Sequence, residues 1–259
     1  MTKSLFAAAT LLLAAATISA QEYKYLTSVS TFKVAPGKEA AFVEKGKAFI
    51  PTLDKLVADG TAIGYGIDVD MLHVPGENNL SFWVEVPNYG ALAKSDAAID
   101  AFIKANPALM QEIGSLTDIS THHDLIIRTQ EAAHKDIPAG VQPVEDFDMV
   151  RVKPGHGEDF MTLSKKYDKP VLDKLVADGV IYAYEMDAEA VHTMEPGLVW
   201  LIVTMPDLGT KDKVNAAFDE AEKAMSEGER KIVEKAYQEA IVPGSHRDSL
   251  ATSVVFKMK

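Results

Sequence analysis

No cysteine occurs among the 259 residues. That excludes disulfides, a thiolate nucleophile and the lipid-modified cysteine of a lipoprotein. Long apolar runs are also lacking: beyond residue 20 no stretch approaches the roughly 20 residues that span a bilayer as a helix. Cationic residues are in deficit, with 26 Lys and Arg against 38 Asp and Glu and a formal charge of -12. Nucleic acid and anionic lipid are unfavourable partners for such a surface, since both exchange counterions for cationic side chains. Common catalytic signatures are missing as well. Gly60-Thr-Ala-Ile-Gly64 and Pro154-Gly155-His156-Gly157 lack the spacing of a phosphate loop. There is no G-x-S-x-G elbow and no H-E-x-x-H helix, and nothing points to a nucleotide cofactor.

What is present begins with a leader. Lys3 precedes an apolar run from Leu5 to Ala16 and a small-residue stretch ending Ser19-Ala20. This is the layout of a secretory signal peptide with cleavage after Ala20. The alternative is an uncleaved anchor, which the shortness of the run disfavours. The expectation is an exported protein, periplasmic or secreted, with residues 1–20 excluded from the fold.

The octapeptide LDKLVADG occurs twice, at Leu53–Gly60 and Leu172–Gly179. Around it the two halves correspond in order. Val34-Ala35-Pro36-Gly37 matches Val152-Lys153-Pro154-Gly155, Phe42 matches Phe160, and Pro51 matches Pro170. Further on, Tyr65 matches Tyr184, Asp68 matches Asp187, Asp70 matches Glu189 and His73 matches His192. Near the end His122-His123-Asp124 matches His246-Arg247-Asp248. The period is far longer than a solenoid brick, so each copy reads as a small domain.

Both copies read alike. An alternating strand (Leu26–Val34; Phe147–Val152) leads through a Pro-Gly turn into a helix that Pro51 or Pro170 kinks or splits. Gly60 and Gly179 fall where a left-handed helix cap is easiest. A hairpin follows (Ala62–His73 with Leu80–Val86; Val180–His192 with Leu198–Met205), then a second helix and a last strand (Thr121–Thr129; Ser245–Phe256). The order is βαββαβ, so the fold class is α+β with two fused ferredoxin-like repeats. The domains are 21–130 and 144–259, joined by a linker over 131–143. In the octapeptide, Leu53, Leu56 and Val57 face the sheet, while Asp54 and Lys55 are expected in solvent.

Each such unit leaves one sheet face bare. With this element order and its duplication, the chain resembles the dimeric α/β-barrel superfamily, which includes antibiotic-biosynthesis-monooxygenase-like, EthD-like and NIPSNAP-like domains. The resemblance implies two sheets closed face to face into one barrel, a pseudo-dimer within one chain, with a small-molecule ligand in its cleft or interior. Chlorite dismutases, a haem-binding branch, are a weaker parallel.

Polar residues matched between the copies are the candidates for chemistry. His122 with Asp124, and His246 with Asp248, lie two apart on a strand and so share a face. An imidazole oriented by a carboxylate suits a general base, and these four are the expected catalytic residues. The same pairs suit metal ligation, or a simple structural hydrogen bond at a strand end. Asp68 and Asp187 lie opposite the apolar face of their strands, so they point into the barrel or its rim as ligand-binding candidates. Asp70 and Glu189 follow the same face. His73 and His192 precede the hairpin turns and read as hydrogen-bonded turn residues. Trp83 and Trp200, both on third strands, are core or pocket residues; set against Pro87 and Pro206 they fall out of step, which suggests opposite faces.

The expected function is small-molecule binding in an α/β barrel. The resemblance implies a cofactor-independent oxidation or isomerisation of an apolar or aromatic compound. The alternative is a non-catalytic envelope protein that holds a metabolite, a metal ion or haem. No cofactor is required, no nucleic-acid or membrane partner is expected after leader removal, and a further homodimer is compatible with the pattern.

Overall fold

The computed structural model describes residues 25–259 except 73, 75, 139, 192, 194 and 195. The leader, His73 and His192 therefore lie outside the described residues. The first half contains β1 (Leu26–Phe32), α1 (Glu39–Gly46), α2 (Ile50–Ala58), β2 (Gly64–Asp70), β3 (Leu80–Val86), α3 (Tyr89–Ala105), α4 (Pro107–Gly114) and β4 (His123–His134). The second contains β5 (Val144–Arg151), α5 (Gly157–Tyr167), α6 (Lys169–Ala177), β6 (Ala183–Val191), β7 (Leu198–Met205), α7 (Thr210–Ala224), α8 (Glu227–Ala240) and β8 (Arg247–Met258).

The helices break where backbone donors or caps dictate. Pro51 and Pro170 sit in the first turns of α2 and α6, where a missing N–H costs nothing. The second helical region of each half is also split, which the apolar spacing alone does not indicate. Pro107 starts α4. Ser226 caps α8 by accepting a hydrogen bond from the Glu229 amide. No helix among the described residues is long and apolar enough to cross a membrane.

All strand pairs are antiparallel, and the eight strands close into one barrel in the order β1-β3-β2-β8-β5-β7-β6-β4. Each half supplies four consecutive strands, arranged fourth-first-third-second. The halves join edge to edge, β2 with β8 and β4 with β6, so hydrogen bonds bridge them at two seams. Closure leaves no exposed sheet edge. It also reaches into the segment expected as linker: β4 continues to His134 and its residues from Glu131 onward pair with β6.

The helices cover the outside. Leu53, Leu56 and Val57 pack with Tyr65, Ile67 and Val84 on one side of the barrel. Leu172, Leu175 and Val176 pack with Tyr184, Met186 and Val203 on the other. At roughly 1.5–3 kcal/mol per fully buried large aliphatic side chain, these two layers are the principal stabilising term. Gly60 and Gly179 end α2 and α6 with φ of 79° and 71°, and the Ala62 and Val180 amides close the caps on the Leu56 and Leu175 carbonyls. The octapeptide aspartates are not simply solvated. Tyr65 donates to Asp54 at 2.8 Å and Tyr184 to Asp173 at 2.6 Å, so the matched tyrosines tie each helix to its strand. Hydrogen bonds from Lys257 and Tyr65 hold the Asp54 carboxyl below its ordinary range.

Candidate functional site

Strand alternation decides what the barrel encloses. On β1, Thr27, Val29 and Thr31 face inward; on β3, Ser81, Trp83 and Glu85 do; on β7, Trp200, Ile202 and Thr204 do. On β8 a bulge intervenes. Ile67 and Asp68 pair with Val255 and Ser253, so Val254 is the extra residue. The bulge reverses the alternation, which lets Ser249 and Ser253 on one side of it and Phe256 on the other all reach the interior side. The cavity inside the barrel measures about 600 Å³. Its lining runs from Thr31, Asp70 and Ser249 at one end of the barrel to Lys135, Lys257 and Lys259 at the other.

The interior is acidic. Asp68, at 2 % exposure, accepts a 2.6 Å hydrogen bond from Ser253 and a 3.3 Å bond from Ser81. The Trp83 indole also donates to it. Burial nevertheless outweighs these donors and pushes its carboxyl up to about 7. Glu185 is likewise raised by burial to about 7, although Tyr25 and Glu85 hydrogen-bond to it. Glu85, Glu145 and Asp187 are all held well above the ordinary carboxylate range, first by burial and then by neighbouring carboxylates. Those neighbours are Glu185 for Glu85 and Asp187, and Asp68 for Glu145. The Tyr25 phenol is pushed up by the same burial and by Glu185, and so stays protonated.

Both tryptophans line this cavity. The expectation of opposite faces fails on counting: Trp83 and Trp200 are offset by two residues relative to Pro87 and Pro206, and an even offset keeps them on one face. Asp68 and Asp187 line the cavity with them.

His122, Asp124, His246 and Asp248 are placed elsewhere. Each pair does share a face, with Nε2–Oδ1 distances of 3.3 Å for His122–Asp124 and 3.2 Å for His246–Asp248. That face is the outside of the barrel. Leu125 and Ile127 occupy the inward positions of β4, and Ser249 that of β8, so Asp124 and Asp248 point outward. His122 Nδ1 donates to the Thr31 carbonyl at 3.1 Å and its ring lies 4.7 Å from the Phe32 ring. Ser30 donates to Asp124 at 2.6 Å. His246 also contacts Asp148 at 2.9 Å, and burial raises the Asp148 carboxyl. Asp148, His246 and Asp248 form the one trio, among the described residues, whose possible ligand atoms lie within 4.8 Å of one another. Their side chains are half exposed, and charged groups so placed commonly do no more than pair with each other.

Glu85, Glu145, Glu185 and Tyr25 escaped comparison of the two copies, because they are not matched. Gly66 stands where the second half has Glu185, and Thr204 where the first has Glu85. A different signal was present: Glu185 lies two residues from Asp187 and Glu85 two from Trp83, so each shares its neighbour's face.

An eight-stranded antiparallel barrel with helices packed outside is the architecture of the dimeric α/β barrels. Three solved structures share it. A candidate monooxygenase from Fusobacterium nucleatum superposes with a TM-score of 0.63 at 13% identity, over 92% of this chain and 96% of that one. A candidate monooxygenase from Lactobacillus acidophilus gives 0.56 at 13% identity, over 91% and 96%. A haem-binding protein from Thermus thermophilus gives 0.50 at 11% identity, over 89% and 91%. No protein-family model and no curated protein sequence matches the chain.

The haem-binding likeness makes haem worth testing against these residues. Haem requires an axial ligand, and its propionates favour cationic surroundings. Among the described residues the lining offers one imidazole, His134, which is exposed beside Lys135 at the cavity end. The interior presents carboxyl groups. Among the described residues no imidazole lies in the acidic part of the lining, which disfavours haem there.

Proposed function

We propose that this protein binds a small molecule with apolar or aromatic surface inside the barrel and moves protons on it with the buried carboxyl groups, as a cofactor-independent isomerase. The observation that carries the reading is one cavity of about 600 Å³ that brings Trp83, Trp200, Asp68 and Glu185 together. That volume lies within the usual range of about 300–1,000 Å³ for small-molecule sites. A carboxyl near 7 is half ionised at neutral pH, which suits a general base; a neighbouring carboxyl raised by burial, such as Glu85, suits a hydrogen-bond donor or general acid. In the reaction the base removes a proton from a carbon lying between a carbonyl and a C=C bond; the C–H electron pair forms a new C=C bond and the carbonyl π pair moves onto oxygen, giving a dienolate. The acid donates a hydrogen bond to that oxygen, and the proton returns at a different carbon. Export through the N-terminal leader belongs to the same reading.

A second reading is cofactor-independent oxygenation, favoured by the two fold neighbours described as candidate monooxygenases. There a CH₂ carbon would react with O₂ to yield a carbonyl and water. One experiment separates them. Because the chain's two tryptophans both line the cavity, their fluorescence reports occupancy directly. A panel of phenols, naphthols and quinones is screened by quenching, and each binder is then followed by NMR in D₂O and by an oxygen electrode. Deuterium incorporation supports isomerisation and O₂ uptake supports oxygenation. Binding with neither identifies a holder rather than an enzyme.

A further inference from the structure

Among the described residues, no cationic side chain is paired with Glu85, Glu145, Glu185 or Asp187. Asp187 is 0 % exposed and neither of its carboxyl oxygens makes a well-formed hydrogen bond; the Thr129 hydroxyl beside it lowers its carboxyl only against the larger effect of burial. Glu85 is 4 % exposed and its Oε2 makes no well-formed hydrogen bond. Both line the cavity, with Glu145 and Glu185 beside them. The lysines in the lining are directed elsewhere, Lys259 toward Gly60. Lys135, Lys257, Lys259 and His134 are exposed at one end. Lys135 donates to the Ala177 carbonyl, and Lys257 is paired with Asp54 on the outside.

From this we infer that the chamber takes an organic cation: an ammonium-bearing molecule with an aromatic or aliphatic body. The inference rests on the barrel interior being the binding site and names the ligand class for it. Protonation removes the charge and the Thr129 hydroxyl can take one bond, but one acceptor of Asp187 and Oε2 of Glu85 stay bare. An ammonium group supplies three donors and the missing charge together. Its neighbours would include the faces of Trp83 and Trp200, which attract a cation through their quadrupoles. A bare metal ion fits less well. Among the described residues no three cavity carboxylates converge to within 4.8 Å, so the acids are spaced for a larger body.

The test uses three probes of one shape: 1-naphthylmethylammonium, 1-naphthalenemethanol and 1-naphthoate. Titration calorimetry of the full mature chain is run at about pH 8 and about pH 5.5, on either side of the titration of Asp68 and Glu185. The groups facing the ligand across that range are Asp68 and Asp70 on β2, Glu85 on β3, Glu145 on β5, and Glu185 and Asp187 on β6, with Tyr25 protonated throughout. At the higher pH the ammonium probe is expected to bind about tenfold or more tightly than the alcohol, and the preference should shrink at the lower pH, as bound protons must leave before the cation enters. Asp187→Asn and Glu85→Gln should each remove most of the preference for the ammonium probe over the alcohol, read as the ratio of the two affinities in the same variant. The naphthoate should not bind. Equal affinity for ammonium and alcohol, with tryptophan quenching by both, overturns the cation and leaves the chamber standing. Tightest binding by naphthoate overturns it as well. No binding by any probe to folded protein overturns the chamber reading together with the inference.

Discussion

Buried acids held well above the ordinary carboxylate range make an unusual demand on stability. In the folded protein Asp68 binds its proton up to about 7 against an ordinary 3.8, and Glu185 up to about 7 against 4.5. Between those limits the folded state holds protons that the unfolded chain has released, so stability must fall as pH rises. It is fully present below about pH 4 and has been lost by about pH 7 for these two groups. At 1.4 kcal/mol per pH unit, each group alone would withdraw about 3 kcal/mol between pH 5 and pH 7. Shared repulsion within the cluster and solvent in the cavity reduce that sum, and we take a net loss of about 2–4 kcal/mol between pH 5 and pH 8. Glu85, Glu145 and Asp187 act in the same direction, since all three are raised. The assay is urea unfolding at half-unit pH steps. Glu185→Gln should gain about 1–3 kcal/mol over the parent at pH 8 and almost nothing at pH 5, because the amide cannot ionise. A parent protein whose stability is level, or rises, from pH 5 to pH 8 would refute the placement of these carboxyls inside a poorly solvated barrel.

Two further outcomes follow from particular contacts. A Cβ at Gly66 would lie 2.5 Å from the Trp83 indole carbons, so Gly66→Ala must displace the ring that donates to Asp68; unfolding experiments should show a loss of about 1–3 kcal/mol, with a shift in tryptophan emission. His122→Ala and His246→Ala remove half-exposed partners on the outer wall, so calorimetry should show unchanged probe affinity and unfolding a cost of about 1 kcal/mol or less.

The sequence by itself determined the covering of the barrel. Apolar spacing in LDKLVADG, the prolines at 51 and 170 and the glycines at 60 and 179 act over a few residues, and local pattern therefore specifies helix faces, breaks and caps. Period-two alternation likewise marked Asp68 and Asp187 as opposite the helices, because a strand's faces are set by parity alone. Which histidine–aspartate face looks inward was not legible, since H-x-D reads identically on either side of a sheet and only the position of Leu125, Ile127 and Ser249 within the closed barrel decides it. The acid cluster belongs wholly to tertiary structure. Glu85, Glu145, Glu185 and Asp187 come from three strands far apart in the chain, and they meet because β2 finds β8 and β4 finds β6. Those seams curl eight ordinary alternating strands around one space, where ordinary carboxyls become buried, mutually repelling and reactive.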